Sequence, residues 1–384
     1  MILTFGRLGL IGFGGPIAAI ALMEEEFCVR RKWLKPSEFA EIIAICKLLP
    51  GPISVQMAIA IGRFHSGVMG GVLAGISFIF PAFLMVLGLG YFYGQFSTTG
   101  GLGAAFQGMQ AAALAIILLS AWRLGQPYAQ ERLAWGVAVL SALFTYWQPR
   151  WEPLIILGFG LLGAIVFSKP SDSQPDSQPD STKDEGGGGR SLFAVGGVGT
   201  AILAAEWPLL GKLFWVCFKA GAFVFGTGLA IVPMLEADVV AHYHWITHSE
   251  FMDALAIGQV TPGPVVITAT FIGFKAAGIP GALIATLGMF LPSFINVLIL
   301  VPLVWNRVKG TRIAENFSAW AIPAVIGGIF AAVVKLGFLT LDTGGSIMIF
   351  ALGLSVLIWR NPPAWAVIPS AGGLGFLLFR FLHF

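Results

Sequence analysis

Lys47 stands three residues before Pro50-Gly51-Pro52 in an otherwise apolar stretch, and Gln259 stands the same distance before a second such triplet, Pro262-Gly263-Pro264. Proline lacks an amide donor and clashes with the carbonyl four residues back, so each triplet interrupts a helix. Past the break, Pro52 and Pro264 fall at or near a first helical position, where the missing N–H costs nothing. The next amides, at Ile53, Ser54 and Val55 and at Val265, Val266 and Ile267, then present the positive end of a half-helix. Two such ends beside a lysine, an amide and the donors Ser54, Gln56, Thr261, Thr268 and Thr270 have the chemistry of an anion site. Plain kinks between packed helices are the competing reading of the triplets, and satisfying interrupted backbone is the competing role of the hydroxyls. If its helix starts near Ser37, Lys47 lies about 15 Å deep, where charges are rare and usually functional; snorkelling or a structural ion pair is its alternative.

The elements that position these groups are membrane helices. The 384 residues are 57% hydrophobic and 11% charged, against roughly 25% charge in soluble domains, and apolar runs long enough to cross about 30 Å of hydrocarbon recur throughout. The expected fold is an all-α, polytopic integral membrane bundle; the alternating segments of a β-barrel are absent. The first run lacks a positive n-region and a small-residue cleavage site and reads as a retained helix. Cys28, Cys46 and Cys217 have no CxxC spacing, so no disulfide framework, metal site or cofactor is expected, nor any nucleic-acid partner.

Residues 169–190, KPSDSQPDSQPDSTKDEGGGGR, hold no apolar periodicity and read as a flexible linker. Sliding the chain by about 212 positions superimposes Gly9 on Gly221, Phe13 on Phe225, Glu24 on Glu236, Trp33 on Trp245, Glu38 on Glu250 and the two triplets on each other. This gives a repeat at 1–168, the linker, an extra apolar segment at 191–211, and a second repeat at 212–384. The loop after the first segment carries Arg30, Arg31, Lys32 and Lys35, whereas its counterpart, EADVVAHYHWITHSE, carries neither Lys nor Arg. Basic residues collect in the cytoplasm, so the two halves are expected to have inverted topology. With each Pro-Gly-Pro element re-entrant, the basic residues divide roughly sixteen inside, Arg123, Lys212 and Lys219 among them, to four outside, Arg150, Lys275, Lys335 and Arg380. This favours about ten full spans plus two broken elements, with 191–211 not crossing.

A glycine cluster, FGGP with Gly14 and Gly15, matches FGTG with Gly226 and Gly228; close packing explains it, and its backbone is also a candidate cavity lining. Glu24, Glu38, Glu236 and Glu250 are candidate proton carriers, with a solvated or arginine-paired loop face as the alternative. Arg63 and Lys275 match each other just past the broken helices, as anion attractors at the pathway's mouths or as interfacial anchors. His242, His244 and His248 read as a polar outer loop rather than a metal cluster.

FGGP followed by EEEFCVRRKWL and a helix ending in LLPGP, then FGTG, EADVV, HWIT and QVTPGP, resembles the long-chain members of the chromate ion transporter family. The resemblance implies an inner-membrane, multi-pass exporter of chromate, driven by the proton motive force and conferring chromate resistance, with sulfate as a structural mimic. It places the motifs on Phe13, Gly14, Gly15, Pro16, Pro50, Gly51, Pro52, Pro262, Gly263 and Pro264. The family pattern usually has glutamine where this chain has Lys47, so an added charge bears on affinity and selectivity. The expected partners are chromate, sulfate, protons and the lipid bilayer, with a homodimer as one assembly. A sulfate or other oxyanion carrier and an anion channel are the alternatives; an enzyme is not expected, because the acids lie in loops rather than clustered at depth.

Overall fold

The computed structural model describes residues 1–12, 15–96, 102–166, 207–224, 228–303 and 312–381, and among these every regular element is helical. The first half comprises α1 (Ile2–Ile11), α2 (Gly15–Glu24) running on as a π-helical stretch Glu25–Arg30, α3 (Pro36–Leu48), α4 (Ile53–Phe96), α5 (Leu102–Gly125), α6 (Arg132–Trp147) and α7 (Glu152–Val166). The second comprises α8 (Trp207–Ala222), α9 (Ile231–Leu235) with a π-helical stretch Glu236–His242, α10 (His248–Val260), α11 (Thr268–Ile295), α12 (Arg312–Thr340), α13 (Gly344–Arg360) and α14 (Ala364–Phe381). Among the described residues, four stretches are long and apolar enough to cross a membrane: Ile53–Gln95, Gly103–Tyr128, Val265–Leu303 and Asn316–Thr340. Large apolar side chains face outward along them, and exposed tryptophans such as Trp147 and Trp359 sit at helix ends, as at a membrane interface.

Local chemistry starts and stops the short helices. α3 begins on a proline, with the Glu38 carboxylate accepting the Lys35 amide at 2.7 Å. α10 opens with a capping box, in which Thr247 Oγ1 accepts the Glu250 amide and Glu250 Oε2 accepts the Thr247 amide. Each is 13 residues long, about 20 Å and short of a full crossing. Both end at the triplets, where Gly51 and Gly263 adopt φ of +134° and +105°, open to glycine at little cost. The chain then doubles back. Trp33, before α3, stacks on His65 with ring centroids 3.8 Å apart, and Glu250 at the start of α10 pairs with Lys275 at 2.8 Å. The chain reverses again at Ser66-Gly67 in α4 and at Ala277-Gly278 in α11, the glycines having φ of +66° and +60°. A Cβ on Gly62 would come 2.5 Å from Gly70 O, so bare glycines let these limbs touch.

Matched features recur about 212 residues apart in the backbone as well. Lys32 and His244 share φ near +54°, at 55° and 53°. Gly9 lies against the Phe78 carbonyl as Gly221 lies against that of Met289. At the centre the halves exchange hydrogen bonds: the Gly51 amide donates to Val224 O at 2.6 Å and the Gly263 amide to Gly12 O at 3.3 Å. The tips of four short hairpins therefore meet in the interior.

The apolar runs at 4–23 and 214–235, each long enough by hydropathy to cross once, are not single crossings. Phe5 stacks on Phe27 at 4.9 Å and Lys212 lies 5.7 Å over the Tyr243 ring, so each segment folds into a hairpin. Hydropathy hides the bend because both limbs are apolar. Lys219, expected on the basic side with Lys212, pairs with Asp238, which also faces Arg150. That cluster belongs to the end of the bundle holding Glu250 and Lys275, since Glu236 pairs with Lys335 and His248 meets Thr340 there. From that end α11 runs about 30 Å to Val297 and Leu298, whose carbonyls accept from Arg63 near the other end. Residues 207–211 form the first turn of α8; the rest of 191–211, and the linker, lie outside the described residues.

Candidate functional site

A cavity of about 730 Å³ runs from Arg123, Asn361 and Trp365 at one end of the bundle to Lys47, Ile53, Gln259, Thr261, Gly263 and Val265 at the broken elements. Gly12, Pro16, Ile20 and Ala21 line its α1–α2 wall. The cavity thus brings together the two residues that precede the triplets, the first amides after them and the glycine-cluster wall. Lys47 is exposed into this space, and Gln259 is only 8% exposed with neither amide atom hydrogen-bonded. A buried amide without partners has unmet hydrogen-bonding capacity of the kind a polar ligand fills.

The amides divide differently from the sequence expectation. Val55 donates to Pro52 O at 3.0 Å and Ile267 to Pro264 O at 3.0 Å. Each half-helix therefore keeps two leading N–H groups, on Ile53 and Ser54 and on Val265 and Val266, rather than three. The hydroxyls largely serve the backbone: Thr261 donates to Ile257 O, Thr268 to Val265 O, and Thr270 pairs with Thr286. Gln56 donates to Pro50 O at 2.7 Å, as does Asn296. Around Gly51, Gln56 Oε1 and Ser293 Oγ remain without partners, so a second, smaller polar nest backs the first triplet. Gly15 opens α2, Gly228 adopts φ +83° against Val266, and Gly14 and Gly226 lie outside the described residues.

The candidate coupling residues are dispersed. Glu38 caps α3, while Glu250 caps α10 and pairs with Lys275. Burial raises the Glu250 carboxyl, but hydrogen bonds from Lys275 and Thr247 outweigh it and hold the group below its usual range. Glu236 pairs with Lys335 at 2.9 Å, and Glu24 is exposed. Glu25 and Glu26 pair with Arg30 and Arg31 on the surface. Arg63 donates to the Val297 and Leu298 carbonyls at 3.0 and 2.8 Å, and Lys275 also lies over Tyr93, so both anchor helix ends. Sequence reasoning passed over Arg123, Ser293 and Asn296. A signal existed for Arg123: Arg123-Leu124-Gly125 matches Lys335-Leu336-Gly337 at the repeat spacing.

Residues 1–164 and 211–376 match the chromate transporter family. A chromate transport protein of Cupriavidus metallidurans is 32% identical over 385 residues, covering 100% of this chain and 94% of that protein. A chromate transport protein of Pseudomonas aeruginosa is 30% identical over 397 residues, covering 98% and 91%. No solved structure matches the chain. The paired triplets, the glycine-cluster wall and the matches over both halves agree: the chain belongs to the chromate transporter family.

Proposed function

We propose that this protein exports chromate across the inner membrane as a secondary transporter driven by the proton motive force, and so confers chromate resistance. The observation that carries the reading is the cavity itself: Lys47, the unpartnered Gln259 and the first residue of each half-helix, Ile53 and Val265, converge on one space. A tetrahedral dianion accepts hydrogen bonds from several directions and suits donors arriving from both halves. Sulfate has the same charge and shape and is the expected competitor.

The same geometry favours a carrier over a channel. The cavity reaches the broken elements from the Arg123 end, while at the opposite end Glu236 and Lys335 form an ion pair beside a small pocket. Under the repeat, Glu236 corresponds to Glu24 and Lys335 to Arg123. Glu24 lies one turn beyond Ile20 and Ala21 on the cavity wall, and Arg123 is turned to Asn361 Oδ1 at 2.7 Å. In our reading the halves are inverted and the end bearing residues 30–35 faces the cytoplasm, so this is the inward-open state with its outer pair closed. Outward opening would part Glu236 from Lys335 and bring Arg123 to Glu24.

The test is chromate uptake into everted membrane vesicles carrying the protein, with and without a proton gradient and with sulfate as competitor. Gradient-dependent uptake supports a coupled exporter; uptake indifferent to the gradient refutes coupling and points to a channel.

A further inference from the structure

Among the described residues four carboxylates are buried: Glu152, Glu236, Asp238 and Asp253. Three have partners. Glu236 meets Lys335; Asp238 meets Lys219 on one oxygen and Arg150 at 3.5 Å on the other; Asp253 accepts from Tyr93 Oη at 2.7 Å and Gln110 Nε2 at 2.8 Å. Glu152 is completely buried, and neither of its oxygens meets a donor.

Its position is built by neighbouring helices. Glu152 opens α7 just behind the Pro149–Trp151 turn, and its carboxyl occupies the space left by the absent side chain of Gly328, midway along α12. Any Cβ at Gly328 would overlap Oε1. Of the charged groups nearby, Lys219 on α8 is the cation that acts on it, and Lys219 is committed to Asp238. Arg150 on the preceding turn also faces Asp238, and Lys335 on α12 is held by Glu236. Thr145 Oγ1 on α6 is buried without a partner too, and Thr145 lines the pocket shared by Glu236, Lys335, Ala331 and Ala332, one turn along α12 from Gly328. A line of polar groups therefore leads from the outer ion pair toward Glu152.

We propose that Glu152 carries the coupling proton; this rests on the proton-driven reading above. The neutral acid suits a pocket without donors, and it is the form matched to the state described here, with the outer ion pairs intact. When the proton leaves to the inner water, the carboxylate is an unpaired charge between α6, α7 and α12 and draws on the nearest cations, Lys219 or Lys335. Either must leave its present acid, which loosens the outer end. The carboxylate then takes a proton from the outer water as the dianion departs, so proton entry and anion exit alternate with no other bond made or broken.

The test uses the full-length protein in everted vesicles and Glu152→Gln, whose amide stands in for the neutral acid. Gradient-driven chromate accumulation and exchange of labelled chromate across the membrane should both fall roughly ten-fold or more, because a permanently neutral side chain keeps the outer pairs closed, while chromate binding by the purified protein persists. Glu152→Asp should restore part of the accumulation, and a trapped pH indicator should register proton movement on chromate addition with the parent but not with Glu152→Gln. A gradient-dependent parent whose Glu152→Gln variant still accumulates chromate would overturn the assignment alone. Loss of chromate binding together with accumulation would also overturn it, as the mark of a merely structural role. A parent indifferent to the gradient would overturn the coupling reading and this assignment with it.

Discussion

Lys47→Gln removes one positive charge from the cavity and leaves an amide at both matched positions. Because Lys47 is exposed into a cavity of about 730 Å³, water screens it strongly. For a dianion about 6 Å from the ammonium and an effective dielectric constant of about 40 to 80, Coulomb's law gives about 1.4 to 2.8 kcal/mol. That corresponds to roughly a ten-fold to hundred-fold rise in Kd for chromate. A monovalent oxyanion at the same place loses about half the energy, so the variant should also discriminate less between dianions and monoanions. The assay is chromate binding by purified protein at several ionic strengths, with nitrate as the monovalent probe. The parent's affinity should fall with salt and the variant's should fall less. Unchanged chromate affinity in Lys47→Gln, or an equal loss for nitrate, would refute an electrostatic role for this lysine.

Gly51→Ala should abolish transport and lower the melting temperature, because a Cβ at φ +134° would overlap the Gln56 amide and come 2.8 Å from Ser293 Oγ. Gly67→Ala, with nothing within 4 Å but a backbone at φ +66°, ψ −160° that is essentially confined to glycine, should cost only the backbone strain of about 1 to 3 kcal/mol. Lys335→Gln should part the outer pair, so that a cysteine placed at Thr145 labels faster from outside; exchanging the charges of Glu236 and Lys335 should slow labelling again, and no change in rate would remove this pair from the gate. Burial holds His248 below the ordinary histidine range, so the unfolded chain binds more protons as pH falls through about 6.5 and stability drops in that window. His248→Gln should therefore lose less melting temperature than the parent between about pH 8 and pH 5.5.

Much of the site was legible because proline and glycine act locally. The triplets at Pro50 and Pro262, the match of Lys47 with Gln259, and the glycine cluster beside them follow from rules that hold within a few residues; Lys47, Gln259, Gly263, Gly12 and Pro16 line one cavity, and Gly51 borders the nest behind it. What stayed hidden depends on direction in space. A hairpin of two short apolar limbs has the hydropathy of one long helix, so the bends after Gly12 and Val224 were read as straight crossings. Hydrogen-bonding capacity is equally invisible: Thr261, Thr268 and Gln259 look alike as donors, yet the two threonines bond to nearby carbonyls while the glutamine is left open. Arg123 was assigned to a loop by its place at the end of α5, although the cavity wall extends that far.

The departures from symmetry are as informative as the repeat. Gly51 is backed by Ser293 and Gln56, whereas Gly263 faces the Ala82 methyl 3.1 Å from its own notional Cβ and Thr268 stands where Gln56 would be. Asp238 and Glu236 are buried and paired, whereas their counterparts Glu26 and Glu24 lie at the surface or in its shallow pocket. If the halves were identical and inverted as proposed, the two facing states would be equal in energy and the cavity would have no preferred end. Polar groups concentrated on one triplet and buried charges at the opposite end bias that balance, and a bias of only about 1.4 kcal/mol already makes one state ten-fold more populated. The residues that break the repeat, rather than those that keep it, are therefore where the resting orientation of this transporter is set.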